Sequence, residues 1–152
     1  MKKMLILVCF AIMASGCSWV EYFVIRNESN SIITLEYEII QVNSGFPIFY
    51  QIPSLYPMSK SGSIEWESKQ EGKDEDEGPL LIKMQIPPRT AVVFGSLMND
   101  KYTTHTQYFI NGRVFNLKSI RITKNSTMTD IIPKNFDDVF IKKNGQISYS
   151  VL

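Results

Sequence analysis

Apolar and polar residues alternate along most of the chain. In IITLEYEII, Ile33, Leu35, Tyr37 and Ile39 fall on one face while Thr34, Glu36 and Glu38 fall on the other, the period of a half-buried strand. Just before it, WVEYFVIR is rich in β-branched and aromatic residues, and NESNS between the two carries turn chemistry, so an antiparallel hairpin is predicted here. SIEWES repeats the alternation, with Ile64 and Trp66 expected inward and Glu65 and Glu67 outward. In LLIKMQI, Leu80, Ile82, Met84 and Ile86 share a face opposite Lys83 and Gln85, and Pro87-Pro88 ends the strand because proline cannot donate to a ladder.

Beyond that turn, TAVVFGSL is an apolar run of the length of a buried strand. Two Asn-Gly pairs signal type I′ hairpins: Asn111-Gly112 between QYFI and RVFNL, and Asn144-Gly145 between VFIKK and QISYSVL. KSIRITK between them alternates around Ile120 and Ile122, and IIPKNFDDVF has room for a short helical turn starting near Pro133. No amphipathic helical window of useful length is present. About eight or nine strands at this spacing predict an all-β protein, an antiparallel two-sheet β-sandwich, immunoglobulin-like or related, rather than a ligand-holding barrel.

GFPIFYQIPSLYPMSKSG breaks the pattern. Phe46, Ile48, Phe49, Tyr50, Leu55, Tyr56 and Met58 are interleaved with Pro47, Pro53 and Pro57, too interrupted for a long central strand and too apolar for a plain loop. Two expectations stand: a connection folded down over the open end of the sandwich, or an exposed interaction surface built on Phe46, Phe49, Tyr50 and Tyr56.

The N-terminus has a different character. Lys2 and Lys3 precede an uncharged run from Met4 to Met13, followed by Ala14, Ser15 and Gly16, the charged, apolar and small-residue order of a secretory signal. A permanent transmembrane helix is the alternative; the uncharged stretch to Val20 only just reaches the roughly 17 residues a span needs. MASGC resembles the lipobox of bacterial prolipoproteins, in which small residues precede a cysteine that becomes the first residue of the mature chain. The resemblance implies cleavage between Gly16 and Cys17 and lipid attachment at the Cys17 thiol. Ala14 stands where Leu is commonest in that family, and an ordinary signal peptidase would read Ala14 and Gly16 as its own site. In the enterobacterial sorting rule of the same family, Asp after the cysteine retains the protein in the inner membrane, so Ser18 favours the outer membrane.

Residues 1–16 are thus expected to leave as a signal peptide, and 17–152 to form one lipid-anchored domain of the bacterial cell envelope. A body that long buries enough surface to fold without disulfides. On this expectation Cys9 leaves with the signal and Cys17 carries the lipid that the lipobox resemblance implies, which excludes a disulfide scaffold, thiol redox chemistry and a thiolate metal site. Losing Lys2 and Lys3 brings the balance close to neutral, without the basic footprint of a nucleic-acid binder. No Ser/Gly-rich tether follows Cys17: only Ser18 intervenes before strand-like residues begin at Trp19.

Catalytic chemistry finds little support in the residues. His105 in YTTHTQYF is the single histidine, and no Gly-x-Ser-x-Gly elbow accompanies it. The acidic run Glu71, Asp74, Glu75, Asp76, Glu77 departs from a calcium-binding loop, since position twelve counted from Asp74 is Gln85. Glu65 and Glu67 share a predicted solvent face with no implied cleft, and Asp137-Asp138, if extended, would point oppositely. The expectation is a non-catalytic interaction or structural module, without cofactor or metal, held at the membrane and offered to another envelope protein. A glycan or small-ligand binder and, less favoured, an envelope hydrolase are the alternatives.

Overall fold

A computed structural model describes residues 18–73, 80–109 and 111–152. Residues 1–16, expected to be a signal peptide, Cys17 and most of the acidic run lie outside the described residues. Numbered in chain order, the strands are β1 (Val20–Asn27), β2 (Ile33–Ile39), β3 (Phe46–Pro47), β4 (Phe49–Pro57), β5 (Gln70–Glu71), β6 (Leu81–Ile86), β7 (Thr90–Met98), β8 (Arg113–Val114), β9 (Leu117–Lys124), β10 (Thr127–Ile131), β11 (Ile141–Lys143) and β12 (Gln146–Val151). A 3-10 turn (Pro133–Asn135) runs into a one-turn helix, α1 (Phe136–Val139).

The fold is an all-β sandwich. One sheet has the order β11-β12-β1-β7-β4-β5, the other β10-β9-β2-β6, and β3 and β8 form a short parallel pair. Most pairings are antiparallel; β1 lies parallel to β12, joining the first and last strands of the body. Val20 faces Met98 at one pole, where the Tyr22 N–H also donates to the Gly145 carbonyl at 2.9 Å. Asn27 faces Thr90 and Val151 at the opposite pole. The chain therefore enters the sandwich at one pole and ends at the other.

Alternation sets the faces. Ile33, Leu35, Tyr37 and Ile39 of β2, Ile82, Met84 and Ile86 of β6, and Leu117, Ile120 and Ile122 of β9 all point into the core. The solvent face of this sheet carries cross-strand ion pairs, Lys83–Glu36 at 3.1 Å and Lys118–Glu38 at 2.6 Å. From the opposite sheet come Phe23, Ile25, Phe49, Val92, Phe94 and Ile147. Aromatic rings fill the space between, with Phe23–Phe49 edge to face at 4.9 Å and Phe49–Phe94 stacked at 5.2 Å. Phe136 and Phe140, stacked at 4.1 Å, bring α1 into the same core.

Several expectations hold. Pro87-Pro88 ends β6, β7 is buried along nearly its whole length, and a helical turn starts at Pro133. Asn144 (φ 51°) and Gly145 (φ 73°) join β11 to β12 as a hairpin with positive φ at both central residues.

Others are corrected. WVEYFVIR and IITLEYEII do not pair with each other: β1 joins the six-stranded sheet and β2 the four-stranded one. β1 is buried on both faces and needs a central position, whereas β2 carries a charged face suited to a sheet open to water. The link between them arches from sheet to sheet, fixed by Asn27, whose Nδ2 lies 2.8 Å from the Ser31 carbonyl and 2.9 Å from that of Pro87. Asn111-Gly112 is not a hairpin turn either. Arg113 and Val114 pair parallel with Phe46 and Pro47, and Gln107–Phe109 contribute no strand. SIEWES is no strand: beyond a single bridge from Met58 to Ile64 it forms turns, with Trp66 partly exposed. Asp137 and Asp138 sit in α1 rather than in extended chain.

Candidate functional site

Segment 46–58 is mostly strand: Phe46–Pro47 is β3, paired with β8, and Phe49–Pro57 is β4 of the six-stranded sheet. It accommodates its prolines by bulging: Phe49 faces Gly95 and Ser54 faces Val93, so four residues of β4 oppose one of β7. The bulge would leave backbone groups unpaired, and two side chains supply partners, Tyr37 from β2 of the facing sheet and Asn116 from the link just before β9. Asn116 Oδ1 accepts the N–H groups of Ile48 (2.9 Å) and Phe49 (2.8 Å), and the Tyr37 hydroxyl donates to the Tyr50 carbonyl at 2.6 Å. Gly95 permits the close approach, since a Cβ there would lie 2.8 Å from the Ile48 carbonyl oxygen.

The bulged strand divides the four proposed surface residues. Phe49 is corrected outright: 1% exposed, it points inward and belongs to the core. Tyr50 points outward, yet its hydroxyl donates to Ser96 Oγ, and burial raises its pKa. Tyr56 is half-buried against Trp66 at 5.1 Å, and partial burial raises its pKa too. Phe46 alone is well exposed, at 61%, with the Arg113 guanidinium 5.3 Å from its ring centre. Cys17, the lipid-attachment residue expected from the sequence, lies outside the described residues.

Trp66 and Ile64 cover the outer face of the six-stranded sheet. Trp66 lies 5.1 Å from both Tyr22 and Tyr56, above a second apolar cluster of Val24, Met58, Ala91 and Val93. Arg26 donates to the Gly62 carbonyl and fastens the covering segment. The aromatic surface expected of this region is therefore largely spent on intramolecular packing.

His105 is exposed, at 68% for its side chain, with Nδ1 3.9 Å from Asp137 Oδ2. Asp137 itself is buried and accepts the Tyr102 hydroxyl at 2.8 Å and the His105 backbone N–H at 2.7 Å. Burial, then the bond to Asp137 and its charge, push the Tyr102 phenol far above the usual tyrosine range. The carboxylate thus clamps the 102–107 turn onto α1, and the histidine lies beside it on the surface rather than in a cleft. Glu65 and Glu67 are exposed as expected. Among the described residues, no group of three or more His, Cys, Asp or Glu could hold a metal ion, and no helix is long and apolar enough to cross a membrane.

A groove of about 760 Å³ opens between the bulge of β4 and the end of β2, walled chiefly by Ile39, Ile40, Val42, Pro47, Ile52 and Leu80. Its walls are mainly aliphatic, with Phe49 and Tyr50 adding two rings and Gln41, Gln51 and Asn116 adding amides. Sequence reasoning missed Asn116, although a lone amide in the apolar run RVFNL is the signature of a buried hydrogen-bonding group. It also missed the part-buried pair Glu21–Lys142, 2.6 Å apart, which nothing in the spacing announces. No family model matches this chain, and no curated protein or solved structure matches it either.

Proposed function

We propose that the chain is a membrane-anchored envelope lipoprotein whose β-sandwich serves as a non-catalytic interaction or structural module. The observation that carries this is the sequence MASGC at the end of an apolar segment behind Lys2 and Lys3, placed immediately ahead of the folded body. β1 starts at Val20, so cleavage before Cys17 would leave only Ser18 and Trp19 between an acylated cysteine and the first strand. Two or three acyl chains, at about 0.8 kcal/mol per buried methylene, hold a protein on a bilayer essentially permanently. Ser18 favours the outer membrane as its address.

Acyl labelling and membrane fractionation of the natural protein beside Cys17→Ala test the anchor. Label and membrane association are expected for the former and absent from the latter; equal labelling of both would remove the proposal. For the partner, in-cell crosslinking from exposed Ile52, within the bulge, is expected to capture a defined envelope protein. A second role, binding of a small apolar ligand, is favoured by the aliphatic groove beside that bulge.

A further inference from the structure

We propose that the pole at which the chain enters the sandwich lies flat on the phospholipid headgroups, with Trp19, Phe46 and Tyr108 at the interface and Arg113 paired to a lipid phosphate. This rests on the acyl anchor at Cys17 and adds which face of the body the bilayer covers.

The first support is the length of the leash. At about 3.5 Å per extended residue, Cys17 cannot lie more than about 7 Å from Trp19. Trp19 is itself fixed: its carbonyl accepts the Asn99 N–H at 3.0 Å, and its indole N–H donates to the Asp100 carbonyl at 3.3 Å. Acyl chains leaving position 17 therefore bring this pole to the membrane surface.

The second is the distribution of exposed rings. Among the described residues, three aromatic side chains are exposed by half or more: Trp19 (54%), Phe46 (61%) and Tyr108 (75%). All three are on segments that close this pole. Trp19 precedes β1, and Tyr108 is in the 99–112 loop after β7. Phe46 is tied to that loop by its N–H donated to the Gly112 carbonyl at 2.9 Å. Met98, half exposed, faces Val20 beside them. Aromatic rings with a polar edge or rim favour the headgroup region of a bilayer, where one part is apolar and the other wet.

The third is charge. Among the described residues, two acidic groups of the pole, Glu21 and Asp100, are engaged within the protein. Glu21 is paired with Lys142, and Asp100 accepts the backbone N–H groups of Lys101 (2.8 Å) and Asn111 (3.3 Å). Arg113, by contrast, has its guanidinium over the exposed Phe46 ring, and among the described residues no carboxylate pairs with it. A guanidinium matches a phosphate in shape and charge, and exposed Lys101 and Lys143 add cations at the same pole.

The test uses protein processed in the cell, purified with its acyl content measured by mass, and reconstituted into phosphatidylethanolamine–phosphatidylglycerol vesicles. The chain has two tryptophans, so Trp66→Phe leaves Trp19 as sole reporter and Trp19→Phe leaves Trp66. Lipids brominated on their acyl chains are expected to quench Trp19 severalfold more than Trp66, and to do so less when Phe46→Ser and Arg113→Gln are added. Circular dichroism confirms that each variant is folded. Acylated, vesicle-bound protein whose Trp19 is quenched no more than Trp66 overturns the docking and leaves the anchor standing. Absence of acyl mass at Cys17 overturns both.

Discussion

Asn116 holds Phe49 by both of its backbone polar groups, accepting the N–H at 2.8 Å and donating to the carbonyl at 3.1 Å. A side-chain amide thus does for the bulged strand what a neighbouring strand does elsewhere in the sheet. Asn116→Leu, close in volume, would strip this partner from the N–H and carbonyl of Phe49, while the Ile48 N–H keeps the Val114 carbonyl at 3.2 Å. Leaving buried amide groups unsatisfied costs about 1–3 kcal/mol each, so a loss of about 2 kcal/mol or more is expected in urea unfolding. Asn116→Asp keeps the acceptors but loses the donor, and its loss should be smaller at low pH, where the carboxyl regains a proton to donate.

Glu21, itself buried, and part-buried Lys142 form a second polar unit, in which Lys142 Nζ also donates to the Tyr102 carbonyl at 2.8 Å. Lys142→Met alone would leave a carboxylate stranded in a nearly closed site and is expected to cost about 3 kcal/mol or more. Glu21→Gln combined with Lys142→Met should recover much of that loss. A double-mutant cycle in urea checks it, and strict additivity of the two changes would refute the coupling.

Ser126 (φ 69°) and Asn125 (φ 45°) form the turn between β9 and β10, both in the left-handed region. A side chain pays about 1 kcal/mol for that conformation, which glycine avoids. Ser126→Gly is therefore expected to stabilise the protein by up to about 1 kcal/mol, read as a raised urea midpoint with unchanged slope. A lowered midpoint would show that the serine side chain contributes more than its backbone strain costs.

The same turn marks a limit of what the sequence reveals. Asn-Gly at 144 identified its hairpin because glycine is the usual residue there, whereas Asn-Ser at 125 carried no comparable signal and the strand after it passed unremarked. Faces were legible almost throughout: Ile33 to Ile39, Ile82 to Ile86 and Ile120 to Ile122 point where alternation places them, because period two encodes which side of a sheet is wet. Pairing was not, because alternation looks the same whichever sheet receives the strand, as β1 and β2 demonstrate. Ile64 and Trp66 alternate like a strand yet lie across the outer face of another sheet, a packing role that period two cannot distinguish. At the candidate surface, the proline-rich spacing concealed a bulged strand, and with it the inward turn of Phe49.

Tyr102 should make the fold sensitive to alkali. Its phenol stays protonated in the folded protein well past the pH at which an unfolded chain, with a tyrosine value of 10.0, releases the proton. The raised value means that the stability this group contributes is complete below pH 10 and is lost as pH climbs above it. One such group lowers stability by up to about 1.4 kcal/mol per pH unit in that range. Urea midpoints measured from about pH 9 to about pH 11 should fall more steeply for the natural protein than for Tyr102→Phe. Parallel slopes would contradict the assignment.

The account as a whole turns on position 17, and the intact mass of the processed protein isolated from its own cells addresses that position most directly. Expected is a chain beginning at Cys17, heavier than its amino acids by a diacylglyceryl group, with or without a further acyl chain, and reduced to the unmodified or unprocessed polypeptide by Cys17→Ala. A natural product that begins at Cys17 with a bare thiol, or that still carries residues 1–16, would contradict it.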